Sequence, residues 1–279
     1  MLMLSNKNIG FIGAGNMANA IIRGLIAAGE ISCGNIFVSD KDEMKLAEFA
    51  KMGINITTNN SEAERNCDIV ILAVKPQIMD SVLEEIRATS AGEHGSPLQK
   101  LYISIAAGVT LAKLQSKLGE NTKIVRTMPN TPLMVGSGVT IVCPNDNLTA
   151  DEIVVAEAVF ACGGDVVRLD EKHINVGMAL SASSPAYAYM FIDAMAKAGE
   201  KRGLSYDVAL KLAVSAVIGS GKMVTDTGVS PLQLKDNVCS PNGTTIEAVK
   251  TLETNDFAGI IDMAIDSCVK RGEELDKLT

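Results

Sequence analysis

The sequence predicts an α/β protein: an N-terminal, mostly parallel sheet followed by an all-α C-terminal region. Three observations carry this. Over roughly the first 170 residues, short β-rich runs alternate with amphipathic helical stretches, the pattern of βαβ units. Residues Ile69 to Val74 are continuously apolar, as a strand covered by helices on both faces must be. From Glu171 onward no strand pattern remains, only helical segments rich in Ala, Gly, Leu and Met.

Taken in order, strands are expected at 8–12, 35–38, 69–74, 101–105, 123–127, 139–143 and 165–169, with amphipathic helices at 16–28, 42–52 and 151–161 between them. Gly92, Gly95 and Pro97 mark a loop. The change of composition near residue 169 divides the chain into domains 1–168 and 169–279. In the second, Ser230-Pro231-Leu232-Gln233 combines an N-cap, a proline at the first helical position and a glutamine placed to close a capping box. Small residues at Ala213, Ala216, Gly219, Ser220 and Gly221 allow close approach of another helix, and a subunit interface is favoured over internal packing.

Composition narrows the function. Of the 279 residues, 47% are hydrophobic and 21% charged, which excludes wholesale disorder. A net charge of −8 argues against a nucleic-acid binder, and the absence of Trp against a base-stacking platform. No signal peptide is evident and no run approaches the roughly 18 apolar residues of a membrane span, so a cytoplasmic protein without membrane or nucleic-acid partners is expected. Six scattered cysteines include no C-x-x-C pair and read as reduced, structural thiols. Two distant histidines, His94 and His173, give no basis for a metal site or a hydrolytic triad.

The chemistry begins at Ile12-Gly13-Ala14-Gly15-Asn16-Met17-Ala18, where a strand runs into G-x-G-x-x-A and then a helix. Gly13 permits the tight turn, Gly15 lets backbone approach a pyrophosphate, and Ala18 lets the helix sit close to the sheet. The free N–H groups of the helix N-terminus complete a dinucleotide site, so the N-terminal half is of Rossmann type. After the second strand, Ser39-Asp40-Lys41 offers both an acid for a ribose hydroxyl and a hydroxyl with a cation for a 2′-phosphate. Either cofactor remains open on that reading. Ala73-Val74-Lys75-Pro76 places Lys75 beyond the carboxyl end of the buried strand, where such sheets bind ligands.

In the C-terminal half, Ser240-Pro241-Asn242-Gly243-Thr244-Thr245-Ile246-Glu247 is a turn leading into a helix. Thr244 and Glu247 stand three apart and read as a capping box, which leaves the Thr245 hydroxyl free at the first helical position. Asn242-Gly243 tolerates positive φ and turns consecutive N–H groups toward one anion, such as a small carboxylate.

Together these stretches resemble the pyrroline-5-carboxylate reductase family over nearly the whole chain. Further motifs of the resemblance are Ser104-Ile105-Ala106-Ala107-Gly108-Val109-Thr110, Arg126-Thr127-Met128-Pro129-Asn130-Thr131-Pro132, Ser184-Pro185-Ala186-Tyr187 and Gln233-Leu234-Lys235-Asp236-Asn237-Val238. The resemblance implies reduction of 1-pyrroline-5-carboxylate to L-proline by NADPH, with NADH as the alternative, no metal, and a homodimer or a larger assembly of dimers. It implies cofactor contacts at Ile12, Gly13, Ala14, Gly15, Asn16, Met17, Ser39, Asn60, Ala73, Val74, Lys75, Pro76, Ile105, Ala106 and Ala107, with Glu171 and Asn237 on the nicotinamide side. Ser240, Gly243 and Thr244 match the cradle for the substrate carboxylate, and Thr245 the catalytic hydroxyl that meets the ring nitrogen. The chain departs from the family in having Ala182 and Ser184, and Asn242, where glycines are usual. The first change is expected to place β-carbons where backbone or substrate comes close. Rival readings are a reductase of another cyclic imine or keto acid, a β-hydroxyacid dehydrogenase using Lys172 or Lys197, and a non-catalytic NAD(P)H-binding paralogue.

Overall fold

The computed structural model describes residues 3–90 and 100–278; the loop expected around Gly92, Gly95 and Pro97, and His94 with it, lies outside the described residues. Eight strands form one sheet: β1 (Ile9–Ile12), β2 (Ile36–Ser39), β3 (Asn55–Thr57), β4 (Ile69–Leu72), β5 (Leu101–Ser104), β6 (Lys123–Pro129), β7 (Gly138–Pro144) and β8 (Gly164–Arg168). Their order is β3-β2-β1-β4-β5-β6-β7-β8, parallel except where β7 runs against β6. All seven expected strands are present. The edge strand β3 was not foreseen: three residues reading Asn-Ile-Thr, two of them exposed, carry no apolar pattern.

The interleaved helices are α1 (Asn16–Ala27), α2 (Glu43–Lys51), α3 (Asn60–Arg65), α4 (Pro76–Ser90), α5 (Leu111–Leu118) and α6 (Ala150–Ala161). Strand side chains alternate between two cores. Ile9, Phe11, Ile69, Ile71, Leu101 and Ile103 join the α1 residues Ile21, Ile22 and Leu25 on one face. Ile12, Val70, Leu72 and Tyr102 join Met79, Leu83 and Ile86 of α4 on the other. Burial on both faces is what makes these strands read as unbroken apolar runs.

Register decides where the site forms. Ile12 pairs with both Ser39 and Leu72, and Leu72 pairs with Ser104, so β1, β2, β4 and β5 end side by side. The segments that follow, from Gly13, Asp40, Ala73 and Ile105, therefore leave the sheet along one edge. Connections on opposite sides of β1 diverge here, at the switch point where α/β sheets bind ligands.

Beyond β8 the described chain is helical: α7 (Ile174–Ser181), α8 (Ser184–Glu200), α9 (Tyr206–Thr227), α10 (Pro231–Asn237), α11 (Thr244–Thr254) and α12 (Phe257–Leu278). The chain as a whole divides into two compact units, one holding the sheet, reaching to Ser183 and taking in the chain from Cys268 onward, the other Ser184–Ser267. The composition boundary at 168/169 thus coincides with the end of β8, while the sheet-bearing unit continues through α7. Ile174 of α7 is buried with Met128, Ile141 and Cys143, and Arg126 of β6 bonds Asp276 near the end of α12.

The second unit has little interior of its own. Only three of its residues are buried, Ala196, Ala209 and Ala213. Met190, Leu212, Ile218 and Leu232 are each at least 60% exposed. Exposed apolar surface on this scale marks an interaction face. Contrary to the expectation from continuous apolar runs, α9 is long and apolar enough to cross a membrane by length and composition. Ser230 caps α10 as expected, accepting from the Gln233 amide at 3.3 Å with Pro231 at the first position; the Gln233 side chain bonds Asn237 instead of closing the box.

Candidate active site

In the sheet-bearing unit, a cleft of about 450 Å³ opens at the edge where β1, β2 and β4 end. Gly13, Gly15, Ser39, Asn60, Ala73, Val74 and Lys75 line it. Gly13 has φ +108°, and a β-carbon there would meet the Ala73 carbonyl oxygen at 2.6 Å. Gly15 differs: a β-carbon would meet nothing within 4 Å, and the residue faces the cleft. Gly15 is also the N-cap of α1, with no side chain capping the helix. The first amides of α1 are thus left for an anion, the arrangement that suits a dinucleotide pyrophosphate.

Asp40 braces this loop. Its Oδ2 accepts from the Ala14 N–H at 2.9 Å and lies 3.5 Å from the Lys45 ammonium, while Oδ1 accepts from the Asp42 N–H at 2.9 Å. Burial alone would raise its pKa, but the two amides and Lys45 outweigh burial and hold the carboxyl below its ordinary 3.8. A lowered folded value contributes stability that is complete above the unfolded pKa and is lost as pH falls through the folded one. The stability difference between the wild-type chain and Asp40→Asn should therefore be constant from neutrality down to about pH 5 and shrink below about pH 4. Urea unfolding across that range reads it.

Ser39 is fully buried and donates to Asn60 Oδ1 at 2.5 Å; Asn60 in turn donates through Nδ2 to Glu85 Oε2 at 2.8 Å. Lys41 donates to the Thr58 carbonyl at 3.1 Å and lies 3.4 Å from Glu85 Oε1. Glu85 and Lys45 of this cleft were missed by sequence reasoning. Ile12, Ala14, Asn16, Met17, Pro76, Ile105, Ala106, Ala107 and Glu171 do not line it. Pro76 and Ala107 instead line a second cavity of about 540 Å³, beside Lys113 and Arg271.

Glu171 Oε1 accepts from the Leu111 N–H at 2.8 Å and from Arg126 Nη1 at 2.9 Å. It thereby fixes the start of α5, four residues beyond Ala107. Arg126 is 1% exposed and also donates through Nη2 to Asp276 Oδ1 at 2.6 Å. Ala182 has φ −78°, ordinary for any residue, and is partly buried against the cluster of Met128, Ile141, Cys143 and Ile174.

The remaining expected residues lie in the other unit. Pro241 and Asn242 form a tight turn closed by the Gly243 N–H donating to the Ser240 carbonyl at 3.0 Å. Asn242 adopts φ +61°, as expected for the residue replacing a glycine. A β-carbon at Gly243 would lie 2.4 Å from Ser240 Oγ, so a larger residue there would turn that hydroxyl away. The capping box, however, does not form. The N-cap of α11 is Gly243, which puts Thr244 and Thr245 at the first and second helical positions, and Glu247 pairs with Lys250. No side chain caps this helix, so its first amides are open, and Ser240, Thr244 and Thr245 are exposed beside them. Asn237 ends α10, its Oδ1 accepting from Gln233.

Lys172 and Lys197 are exposed and paired with Asp170 and Asp193. No group of three or more His, Cys, Asp or Glu able to hold a metal occurs among the described residues.

Residues 171–275 match the family model for pyrroline-5-carboxylate reductase dimerisation, and residues 8–108 that for NADP oxidoreductase, coenzyme F420-dependent. The chain is 44% identical over 272 residues to pyrroline-5-carboxylate reductase of Escherichia coli K12, covering 97% of this chain and 99% of the relative. The chain belongs to the pyrroline-5-carboxylate reductase family. Another member, from Methanosarcina acetivorans, is 38% identical over 98% of this chain and 100% of its own. Among solved structures, a pyrroline-5-carboxylate reductase from Coxiella burnetii superimposes with a TM-score of 0.90 at 36% identity, covering 97% of this chain and 99% of its own. The Plasmodium falciparum pyrroline carboxylate reductase, solved with NADP bound, gives 0.85 at 33%, covering 98% and 99%. A prephenate dehydrogenase from A. aeolicus shares only the fold, at 16% identity and a TM-score of 0.53.

Proposed function

We propose that the protein reduces 1-pyrroline-5-carboxylate to L-proline with hydride from NAD(P)H, the last step of proline biosynthesis, and that its two halves divide the work. The observation that carries this reading is a pair of uncapped helix N-termini. One, α1, lies behind the glycine loop at the sheet edge; the other, α11, follows the Ser240–Gly243 turn. Residues 1–168 then bind the dinucleotide, and residues 169–279 bind the substrate and join subunits. Family membership supports the activity, and the exposed apolar faces of α8 and α9 support a homo-oligomer.

When bound, NAD(P)H supplies the hydride for the C=N carbon of the cyclic imine. The chain supplies position and charge. Amides of α1 hold the pyrophosphate, with Ser39, Asn60, Ala73 to Pro76 and Ile105 to Ala107 along the cofactor, and Glu171 and Asn237 toward the nicotinamide. The open amides of α11 with Ser240, Gly243 and Thr244 hold the substrate carboxylate. The Thr245 hydroxyl bonds the ring nitrogen and orients it. A threonine hydroxyl is too weak an acid to protonate an imine near neutrality, so the proton is relayed from solvent through that hydrogen bond. Six free thiols fit a reducing compartment such as the cytoplasm.

The variants Ser240→Ala and Thr245→Ala test the division of roles. Ser240→Ala should raise KM for 1-pyrroline-5-carboxylate with kcat little changed, because it removes binding common to ground and transition states. Thr245→Ala should lower kcat and leave cofactor affinity as it was. Unchanged turnover in Thr245→Ala defeats its assignment.

A further inference from the structure

We propose that Glu85 sets the cofactor preference of the cleft, acting on Ser39 through Asn60 and on Lys41 directly. The inference rests on the dinucleotide reading given above and adds to it which dinucleotide the cleft is organised to favour.

A carboxylate only accepts hydrogen bonds, so the Asn60 amide must turn its Nδ2 toward Glu85, 2.8 Å away. That leaves Oδ1 facing Ser39, and the contact of 2.5 Å there can be made only if the Ser39 hydroxyl donates. Ser39 is fully buried and Asn60 is 5% exposed, so solvent does not readily supply substitute partners. The Ser39 proton is thereby committed, and the hydroxyl offers lone pairs to anything seated beside the end of β2. Meanwhile the Lys41 ammonium is shared between Glu85 and the Thr58 carbonyl.

A ribose 2′-hydroxyl meets this arrangement as a donor and leaves it intact. A 2′-phosphate brings only acceptors. To accept from the Ser39 hydroxyl it must reverse the chain of hydrogen bonds that Glu85 holds, and to pair with Lys41 it must displace Glu85 or share the cation beside a second negative charge. Glu85 is therefore a positioning residue that favours the dinucleotide without the 2′-phosphate. Removing its charge frees Asn60 to turn, Ser39 to donate and Lys41 to meet a phosphate.

The test is calorimetric titration of NAD+ and NADP+ into wild type and Glu85→Gln, with no turnover involved. The ratio of the two Kd values should move toward NADP+ by about tenfold, the scale of one hydrogen bond to a charged group. Glu85 lies on the surface of α4 with its side chain a third exposed, and Glu85→Ala gives the same ratio by a second route. A ratio within about twofold of wild type in a folded variant overturns the role of Glu85 while leaving the dinucleotide site standing. Failure of both variants to fold makes Glu85 a purely structural residue and overturns it as well. A wild-type chain that binds neither dinucleotide overturns both this inference and the reading beneath it.

Discussion

Replacing Gly15 by valine should raise the Kd for NAD(P)H by roughly two powers of ten, the loss of one or two hydrogen bonds to a charged group. Folding stability should fall by only about 1 kcal/mol, the cost of a poorer N-cap. The asymmetry follows from what surrounds the position. Gly15 has extended backbone that valine adopts readily, and a β-carbon there touches nothing in the chain. The added side chain occupies the cleft itself, between the ligand and the amides of α1. Gly13→Val should abolish binding for a different reason. Its φ of +108° and the Ala73 oxygen 2.6 Å from a β-carbon force the loop itself to move, so that variant loses stability together with affinity. Urea unfolding and fluorescence titration of both variants separate the two causes; equal stability losses would show that Gly15 is also a packing residue.

Which parts of this were readable in advance follows from how local each signal is. β1, β4 and β5 are apolar on both faces and were legible from a few adjacent residues. β3 and α3 were not: Asn-Ile-Thr at a sheet edge and a six-residue helix of mostly polar residues carry no period. α3 is held from a distance, by Lys100, whose ammonium donates to the carbonyls of Glu64, Arg65 and Cys67 at its far end. Asn60 begins that helix and lines the cleft, and no local pattern announces it. The turn at Asn242 was legible because few residue types other than Gly and Asn sit well at positive φ. The cap one residue further on was misread because T-x-x-E satisfies the box on paper. In the fold, Gly243 takes the N-cap place and the helix begins one residue earlier. Glu85 was missed for the same reason as Lys100, since its partners Asn60 and Lys41 are 25 and 44 residues away in sequence.

Arg126→Met should cost about 3 kcal/mol of folding stability, the lower end of what removing one member of a buried ion pair costs. Arg126 is 1% exposed, and its two carboxylate partners are not freely solvated: the side chain of Glu171 is 29% exposed and that of Asp276 20%. Taking away the guanidinium leaves Glu171 bonded to the Leu111 amide and Asp276 to the Asn175 side chain, with no cation between them. The buried Arg126 Nε has no partner among the described residues, so the arginine is not ideally satisfied and part of the loss is recovered by methionine packing. The same change loosens the end of α12 and the start of α5, which follows the Ile105–Ala107 segment. Urea unfolding at fixed protein concentration measures the effect, since subunit association shifts apparent stability. A loss under about 1 kcal/mol would show that the cluster is not a fastening of the C-terminal helix.

We propose that a reduced dinucleotide at the sheet edge and a carboxylate-bearing imine at the start of α11 meet in one reaction. Following the absorbance of NADPH and NADH with purified protein, with and without 1-pyrroline-5-carboxylate, and assaying the product for L-proline, tests it most directly. Oxidation that requires the imine and yields proline in equal amount is the predicted result. A protein that binds the cofactor yet leaves it reduced in the presence of the imine would contradict the claim and leave only a dinucleotide-binding module.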